Sequence, residues 1–228
     1  MTFLFEPIIP SLAMAGSPER FPVHRIYCVG RNYADHAREM GNDPDREPPF
    51  FFSKPADALV ADREEVIYPG RTQDLHHEVE LVVALGKDAW QVTAQQALDC
   101  VLAYAVGIDF TRRDLQAAAK QAGRPWDVAK GFDDSAPVSE LQPVSAIGHP
   151  AKGSISLSVN GSLRQRGDLA DMIWSVPEVI AELSTYYRLR AGDLIFTGTP
   201  AGVGRVVAGD VLEGVIEGVG HLRVQLTP

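Results

Sequence analysis

Three carboxylates stand at positions where an ionised side chain is costly. Glu78 and Glu80 begin the run Glu-Val-Glu-Leu-Val-Val-Ala-Leu, and Asp109 follows the apolar run Tyr-Ala-Val-Gly-Ile. On one face of a strand, two neighbouring carboxylates repel each other, and a buried unpaired carboxylate is strongly destabilising. Hard divalent cations prefer oxygen ligands. The three side chains together therefore predict a site for Mg²⁺, Mn²⁺ or Ca²⁺.

Each of these carboxylates also has an ordinary explanation. A Glu-x-Glu strand is typical of a solvated sheet edge, and Asp109 is placed to cap the next helix or to form a salt bridge. His76 and His77 suggest zinc, but on a strand His77 faces away from Glu78, and no Cys or His-x-x-x-His spacing completes a zinc site. The joint occurrence of the three carboxylates favours the oxygen-ligand site.

A histidine and a glutamate three residues apart form a candidate acid–base pair. His36 and Glu39 share one face of a helix predicted over 33–40, with Asn32 as its N-cap. A carboxylate on one imidazole nitrogen fixes the tautomer and leaves the other nitrogen as a base near neutral pH. The alternative is a surface pair on a charged helix. Glycines on both sides of this helix suit a mobile lid.

Several polar side chains interrupt apolar segments or share an element with these residues. Lys54 follows Phe-Phe-Phe-Ser, and Lys130 lies in Val-Ala-Lys-Gly-Phe. The usual explanation for such a lysine is that its stem covers apolar surface while its charge reaches solvent. Arg113 and Gln116 lie three residues apart on a helix predicted over 111–122, so one face can look toward the metal site.

A glycine-rich run over 197–204 reads Thr-Gly-Thr-Pro-Ala-Gly-Val-Gly. It resembles a phosphate-binding loop but lacks the Gly-Lys-Ser/Thr ending of that motif. Its glycines allow close backbone approach, and Thr199 offers a hydroxyl to a carboxylate, although a plain tight turn is the alternative. The chain contains no Gly-x-Ser-x-Gly elbow, which argues against a serine hydrolase.

The elements that must position these residues are mainly strands. Apolar or alternating runs predict strands over 25–30, 50–53, 78–85, 101–110, 154–159, 193–197, 211–216 and 222–226. Helices are fewer, and their connections do not follow a regular βαβ repeat. This pattern predicts an α+β fold, a mostly antiparallel mixed β-roll with a few peripheral helices.

Local motifs set several boundaries. Two capping boxes, at 93–96 and 175–178, open helices, and the second is expected to run to about residue 188. Thr111 is expected to cap the 111–122 helix, and Asn160-Gly161 predicts a type I′ hairpin. Residues 1–22, with four prolines, are predicted to form an irregular N-terminal arm. Residues 23–228 are predicted to form a single catalytic domain.

Composition excludes several classes of partner. The formal net charge of −9 argues against binding to nucleic acid or to an anionic membrane surface. No run approaches the roughly 20 apolar residues of a membrane span, and the N-terminus does not resemble a secretory signal. The two cysteines, Cys28 and Cys100, each lie in an apolar run, which predicts buried free thiols rather than a disulfide framework. Free thiols are typical of a reducing compartment. A cytoplasmic protein is expected.

In their combination and order, these stretches resemble the fumarylacetoacetate hydrolase family, in its short acylpyruvase branch. The matching stretches are 30–36, 54–55, 77–80, 107–111, 113–116, 123–126, 130, 159–161 and 197–200. No single stretch is specific, but the ordered combination is, and it covers about residues 23–228.

The resemblance implies a β-roll fold, usually as a homodimer. It implies one divalent cation per site, Mg²⁺ or Mn²⁺, held by three carboxylates: Glu78, Glu80 and Asp109. It also implies four residues that carry out catalysis: the lid pair His36 and Glu39, with Lys130 and Gln116.

The expected substrate is a small anionic diketo acid. Four side chains are candidates to bind it: Arg31, Lys54, Arg113 and Thr199. Segment 43–54 is most similar to enzymes that cleave fumarylpyruvate, which implies fumarate and pyruvate as products. Oxaloacetate decarboxylation and isomerisation of a dienoate diacid stay open as alternatives on the same site. A metal-binding module without catalysis is disfavoured by the intact His36 and Glu39.

Overall fold

A computed structural model describes residues 3–39, 47–61 and 65–228. Within these ranges the strands form two large sheets and three small ones. The larger sheet has six strands, in the order Gln142–Pro143, Val101–Ile108, Val79–Leu85, Asp193–Phe196, Arg25–Gly30 and Phe50–Lys54. Its neighbouring strands are antiparallel except for the parallel pair Asp193–Phe196 and Arg25–Gly30.

The second large sheet has five strands, and its sequence alternates between buried and exposed residues. The strands are, in order, Ser162–Asp168, Ser154–Val159, Val211–Ile216, Gly220–Thr227 and Glu65–Ile67. Its buried face packs against the six-stranded sheet in one apolar cluster that includes Ile155, Leu157 and Leu212. The predicted hairpin turn is confirmed, since Asn160 and Gly161 have φ of 50° and 75°, as a type I′ turn requires.

The central strand Val79–Leu85 is buried at all seven positions. Alternate side chains enter two different cores: Val79, Leu81 and Val83 face the five-stranded sheet, whereas Val82 and Ala84 face the second core cluster. Glu80 lies on the same face of the strand as Val82 and Ala84, as the alternation of side chains predicts. A strand with no exposed residue fixes its side chains in one register.

The remaining elements are short. The small sheets join Thr111–Arg112, Leu75–His77 and Gly204–Val206; Ser11–Met14 and Ser17–Pro22; and Leu59–Val60 and Ala136–Pro137. The α-helices are Ala34–Glu39, Ala94–Ala97, Arg113–Gln121, Asp127–Lys130, Val144–Ile147 and Val176–Tyr186. Single 3₁₀ turns lie at Ala56–Ala58, Leu98–Cys100 and Leu169–Asp171. None of these described helices has the length and apolar character of a membrane span.

The N-terminal segment departs from the expectation of an irregular arm. Residues 11–22 form a β-hairpin whose strands pair Leu12 with Phe21. Both side chains are buried in the second core cluster. The preceding segment is different, because five large apolar side chains there are more than half exposed: Phe3, Leu4, Phe5, Ile8 and Ile9. The division into an arm and one catalytic domain stays a prediction.

Two predicted helix starts are wrong, and both fail for the same reason. The 111–122 helix begins at Arg113, because Thr111 pairs in a small sheet with His76 and turns its hydroxyl to Glu78. The helix predicted over 33–40 spans Ala34–Glu39 in the structure. Residue 40, the last one of the prediction, lies outside the described part of the chain. In both cases a distant contact replaced a local cap.

Candidate metal centre and active site

Glu78, Glu80 and Asp109 converge at one point beside the six-stranded sheet. Glu78 lies in the break between Leu75–His77 and Val79–Leu85, so the predicted strand 78–85 begins one residue later than expected. The backbone N–H of Asp109 donates to the carbonyl of Glu78 at 2.8 Å, which brings the two chain segments together. All three residues are buried, and one carboxylate oxygen from each lies within 4.8 Å of the others.

Two cations pair with the Glu78 side of this cluster. Lys130 Nζ donates to Glu78 Oε2 at 2.9 Å and to Asp109 Oδ2 at 2.5 Å. Arg113 donates to Glu78 Oε1 at 2.5 Å, and the hydroxyl of Thr111 donates to the same oxygen at 3.0 Å. Burial opposes the ionisation of Glu78, but the charges of Lys130 and Arg113 outweigh it and hold the pKa of Glu78 well below its ordinary value. Glu78 is therefore a stable carboxylate.

Lys54 approaches the cluster from the opposite side. Its Nζ lies 2.8 Å from Asp109 Oδ1, and it donates hydrogen bonds to the carbonyls of Phe110 and Lys130. Asp109 Oδ1 thus has a close cation and no hydrogen bond of good geometry. The common explanation, a lysine that reaches solvent, is wrong for both lysines, because Lys54 and Lys130 are each only 2% exposed.

Glu80 differs from Glu78 and Asp109 because no cation of the described chain forms an ion pair with it. Its partner is the backbone N–H of Gly198, 2.7 Å from Oε2. Burial and the charges of Asp109 and Glu78 raise the pKa of Glu80 well above its ordinary value. Gly198 has a φ of 99°, and a Cβ there would lie 2.7 Å from Cβ of Asn32, so only glycine places this N–H against the carboxylate.

These features fit a hard divalent cation. The donor set is entirely oxygen, Glu80 is held in repulsion with two other carboxylates, and Asp109 keeps an oxygen without a hydrogen bond. The neighbouring histidines are engaged elsewhere: His77 Nδ1 lies 2.9 Å from Gln165 Oε1, and His76 Nε2 lies 3.0 Å from Asp74. Among the described residues, the cluster offers no nitrogen or sulfur ligand of the kind that zinc prefers.

His36 and Glu39 come together beside this cluster. His36 Nδ1 lies 3.4 Å from Glu39 Oε2, and the imidazole is buried. Burial lowers the pKa of His36, although the carboxylates of Glu78 and Glu39 act in the opposite direction. Glu39 also accepts the backbone N–H of Gly202 at 3.0 and 3.2 Å, which connects the lid helix to the glycine-rich loop. The pair is thus built as a neutral imidazole oriented by a carboxylate.

Asn32 holds the entry to the lid helix by contacts that a cap would not make. Its side-chain amide donates to the carbonyls of Trp174 and Thr197 at 2.9 and 2.8 Å, and its oxygen accepts the N–H of Trp174 at 2.7 Å. All three bonds reach chain segments more than 140 residues away. The expectation that Asn32 is an N-cap is therefore wrong. The residue is buried, and its side chain connects the start of the lid helix to the segments around Trp174 and Thr197.

One cavity brings most of the expected site residues together. It is lined by two of the cluster carboxylates, by His36 and by the following side chains: Arg31, Phe50, Phe52, Arg113, Gln116, Lys120, Trp126, Lys130 and Thr199. Asp109 and Lys54 do not line the cavity, but Asp109 forms ion pairs with Lys54 and with Lys130, which does line it. The cavity thus has a charged floor and an aromatic side wall.

The candidate substrate-binding residues differ in how free they are. Arg113 is committed to Glu78 and also donates to Gln116 Oε1 at 2.6 Å. The Thr199 hydroxyl donates to the carbonyl of Val79 and accepts from Gln165, so its oxygen already has two partners. Their predicted roles at the substrate stay predictions.

Two features of the site had no assigned role in the sequence interpretation. Gln165 is fully buried and forms hydrogen bonds with His77, with the N–H of Val79 and with Thr199. It therefore fixes the start of the strand Val79–Leu85, which carries Glu80. It lies in a hairpin strand rich in polar residues, where no local pattern marks it. Lys120 and Trp126 line the cavity, and only the stretch around Trp126 stood out as part of a motif.

Comparison with known proteins places these features in context. The profile described as Fumarylacetoacetate (FAA) hydrolase C-terminal matches residues 25–227. A fumarylpyruvate hydrolase from Ralstonia sp is 44% identical over 191 residues, 83% of this chain and 99% of the relative. An oxaloacetate tautomerase from Escherichia coli is 42% identical over 199 residues, 87% and 90% of the two chains. The crystal structure of a Pseudomonas aeruginosa fumarylpyruvate hydrolase with Mn²⁺ and pyruvate superposes with a TM-score of 0.97, at 52% identity over 99% of each chain.

Proposed function

The chain belongs to the fumarylacetoacetate hydrolase family, and we propose that within it the protein hydrolyses the carbon–carbon bond of an acylpyruvate. The best candidate substrate is fumarylpyruvate, with fumarate and pyruvate as products. One observation carries the proposal: three buried carboxylates have oxygens within 4.8 Å of one another, and two of them line a cavity together with His36, whose Nδ1 lies 3.4 Å from Glu39. Relatives at 44% and 52% identity that carry the name fumarylpyruvate hydrolase support it.

The three carboxylates would hold one Mg²⁺ or Mn²⁺. Such an ion, when bound, supplies Lewis acidity toward substrate oxygens and offsets the mutual repulsion of its ligands. The relative from Pseudomonas aeruginosa contains Mn²⁺ together with pyruvate, which is the product common to all acylpyruvate hydrolyses. Gly198 would keep Glu80 in place through its backbone N–H, and Lys130 with Arg113 would keep Glu78 ionised.

His36 would act as the general base on water. Because its pKa is lowered, the imidazole is neutral at physiological pH and can accept a proton, while Glu39 orients the ring through Nδ1. The resulting hydroxide attacks the carbonyl of the acyl group. The bond between that carbon and the pyruvyl methylene then breaks, its electron pair leaves with the pyruvate enolate, and a proton from solvent or His36 completes pyruvate.

Lys130 and Gln116 would stabilise the charge that develops on substrate oxygens. Both line the cavity, and both carry N–H donors next to the carboxylate cluster. Oriented donors in a site with little water stabilise a developing oxyanion more than they would in bulk solvent. The helix Ala34–Glu39, which carries the buried His36, would limit the access of water to the one molecule that reacts.

A substrate panel tests this proposal. The protein would be loaded with Mn²⁺ or Mg²⁺ and assayed for pyruvate release from fumarylpyruvate, acetylpyruvate and oxaloacetate. We expect the highest kcat/KM with an acylpyruvate. Pyruvate release from oxaloacetate alone would replace the proposal by a decarboxylase, and chelated protein with full activity would remove the metal from the mechanism.

Oxaloacetate tautomerisation is a second candidate function. It is favoured by the Escherichia coli relative of that name at 42% identity, and it needs proton transfer without bond cleavage. His36 in the same cavity is placed for that transfer. Ultraviolet absorbance of the enol of oxaloacetate measures this activity directly, so a protein that interconverts the enol and keto forms but releases no pyruvate would be assigned to it.

We further propose that the protein is a homodimer. The support is the exposed apolar segment from Phe3 to Ile9, because apolar side chains concentrated in one short segment are typical of protein–protein contact. Light scattering after size-exclusion chromatography should give the mass of two chains. The mass of a single chain at micromolar concentration would contradict the proposal.

A further inference from the structure

Two cations of the cavity wall have no carboxylate partner among the described residues. Arg31 and Lys120 form no ion pair within the part of the chain that the structure describes. Each lies instead over an aromatic ring: Arg31 Cζ is 5.4 Å from the centroid of Phe50, and Lys120 Nζ is 5.0 Å from that of Trp126. The two rings meet edge to face, with centroids 5.4 Å apart. The two cations are therefore supported by one aromatic wall.

The remaining cations of the site differ from these two. Lys54, Lys130 and Arg113 each lie against Asp109 or Glu78, and they balance the three carboxylates of the cluster in number. Arg31 and Lys120 are in excess of that balance. With a divalent cation bound, the cavity would carry a further positive excess. An anionic substrate with more than one carboxylate would satisfy it.

We propose that Arg31 and Lys120 bind a carboxylate at the far end of the substrate's acyl group. The inference rests on the proposed function, and it narrows the substrate class to acylpyruvates whose acyl group is itself anionic. The wall of Phe50 and Trp126 suits a flat, conjugated acyl chain, since planar groups stack on aromatic faces. A neutral acyl group would form no ionic contact with either cation, so this end of the cavity favours an anionic one.

The surroundings of Lys120 agree with this role. Partial burial, together with the positive charges of Arg113 and Arg31, lowers the pKa of Lys120. Like charges that are held close together without an anion repel one another, and a carboxylate between them relieves the repulsion. Arg31 has a φ of 58°, which turns its chain away from the preceding strand direction at the start of the lid connection.

The test compares a substrate whose acyl group ends in a carboxylate, fumarylpyruvate, with one whose acyl group is short and neutral, acetylpyruvate. Lys120→Gln removes the charge but keeps the polarity and most of the length of the side chain, and Lys152→Gln is the control, because Lys152 is exposed and outside the cavity. We expect Lys120→Gln to lower kcat/KM for fumarylpyruvate about tenfold, the loss of one partly exposed charge-assisted contact. Its kcat/KM for acetylpyruvate should stay within about twofold of the parent. An equal loss on both substrates, or no loss on either, would overturn the inference.

A binding measurement separates this inference from the proposed function. Titration calorimetry of Mn²⁺-loaded protein would compare fumarate with crotonate, which has the same unsaturated chain but one carboxylate. We expect the parent to bind fumarate more tightly and Lys120→Gln to lose about tenfold of that preference. If the preference depends on Lys120 but no acylpyruvate is cleaved, the anion site stands and the hydrolase proposal fails. If acylpyruvates are cleaved but fumarate is not preferred, or its preference survives in the variant, the inference fails alone.

Discussion

The strand that carries Glu80 and the helix that carries His36 are held in opposite ways. Val79–Leu85 is buried at every position and hydrogen-bonded on both sides, to Val101–Ile108 and to Asp193–Phe196. The lid helix Ala34–Glu39 has six residues, too few to be stable without tertiary contacts. Among the described residues, its link to the glycine-rich loop is the pair of hydrogen bonds that Glu39 accepts from the backbone N–H of Gly202.

This difference matches two different chemical tasks. Ligands of a cation must keep fixed distances, so they belong on backbone that does not move. A general base over a buried site must let substrate in and product out, so it belongs on an element of low local stability. In the proposed mechanism, the metal ligands would thus stay fixed while the helix that carries the proton acceptor would be able to move.

Loss of the cation should have the largest effect. Chelation should abolish turnover, and Glu80→Gln should weaken Mn²⁺ binding by about a hundredfold or more, because it deletes a charged ligand. Calorimetric titration with Mn²⁺ measures the affinity, and Glu213→Gln on an exposed strand position is the control. Unchanged affinity in Glu80→Gln would remove this residue from the ligand set.

The same substitution should stabilise the metal-free protein. The pKa of Glu80 is raised in the folded state above its ordinary value of 4.5, so folded protein holds that proton more tightly than unfolded protein. Stability is therefore lost as pH rises from 4.5 through the folded-state pKa. Metal-free Glu80→Gln should lack this loss and melt higher than the parent at neutral pH. A lower melting temperature would show that the carboxylate is not under repulsion.

Removing the base should have the next largest effect. His36→Ala should lower acylpyruvate hydrolysis about a hundredfold to ten-thousandfold, the usual cost of losing a positioned general base. Oxaloacetate decarboxylation, which does not require water to be deprotonated, should fall less. The comparison is the ratio of the two turnover numbers at saturating substrate in variant and parent. An unchanged ratio would mean that His36 serves lid closure rather than water activation.

The pH profile should report the lid pair. Because the folded-state pKa of His36 is lowered from 6.5, kcat/KM should stay level as pH falls through 6.5 and decline only at lower pH. The hydrogen bond and charge of Glu39 raise that pKa, so Glu39→Gln should move the decline to still lower pH and reduce kcat about tenfold. A decline at unchanged pH in Glu39→Gln would disconnect the two residues.

The smallest effect should appear in hydrogen exchange. Oxalate, which offers two chelating oxygens as the pyruvate enolate does, should slow the exchange of amides 31–39 severalfold in the Mn²⁺-loaded protein. Amides of Val79–Leu85 should exchange slowly with and without it, since that strand is central and buried. Equal exchange of 31–39 in both conditions would show that the helix is a static surface element.

Elements that are set by local patterns could be predicted from the sequence. The strands Arg25–Gly30 and Val211–Ile216 have the predicted bounds. Both capping boxes also form, one of them with Thr93 and Gln96. The carboxylate cluster was predictable as well, because burial of an ionised side chain is unusual enough to stand out in an apolar run.

The errors arise where a polar side chain bonds to a distant segment. Thr111 and Asn32 have the residue types of helix caps, but their hydrogen bonds reach Glu78 in one case and Trp174 and Thr197 in the other. Sequence spacing carries no information about such partners. For the same reason, the sequence did not indicate a role for Gln165, whose hydrogen-bond partners are all distant along the chain.

The complete burial of Val79–Leu85 has a consequence before the chain is folded. The run 81–85 reads Leu-Val-Val-Ala-Leu, an uncharged β-prone segment of the kind that initiates aggregation when exposed. Glu78 and Glu80 precede it, and Lys87 and Asp88 follow it, so charges flank the run on both sides and oppose self-association of nascent chains. The acidic residues of the candidate metal centre are therefore also gatekeepers of refolding. Glu80→Gln, although more stable once folded without metal, should yield more aggregate when it is diluted from denaturant.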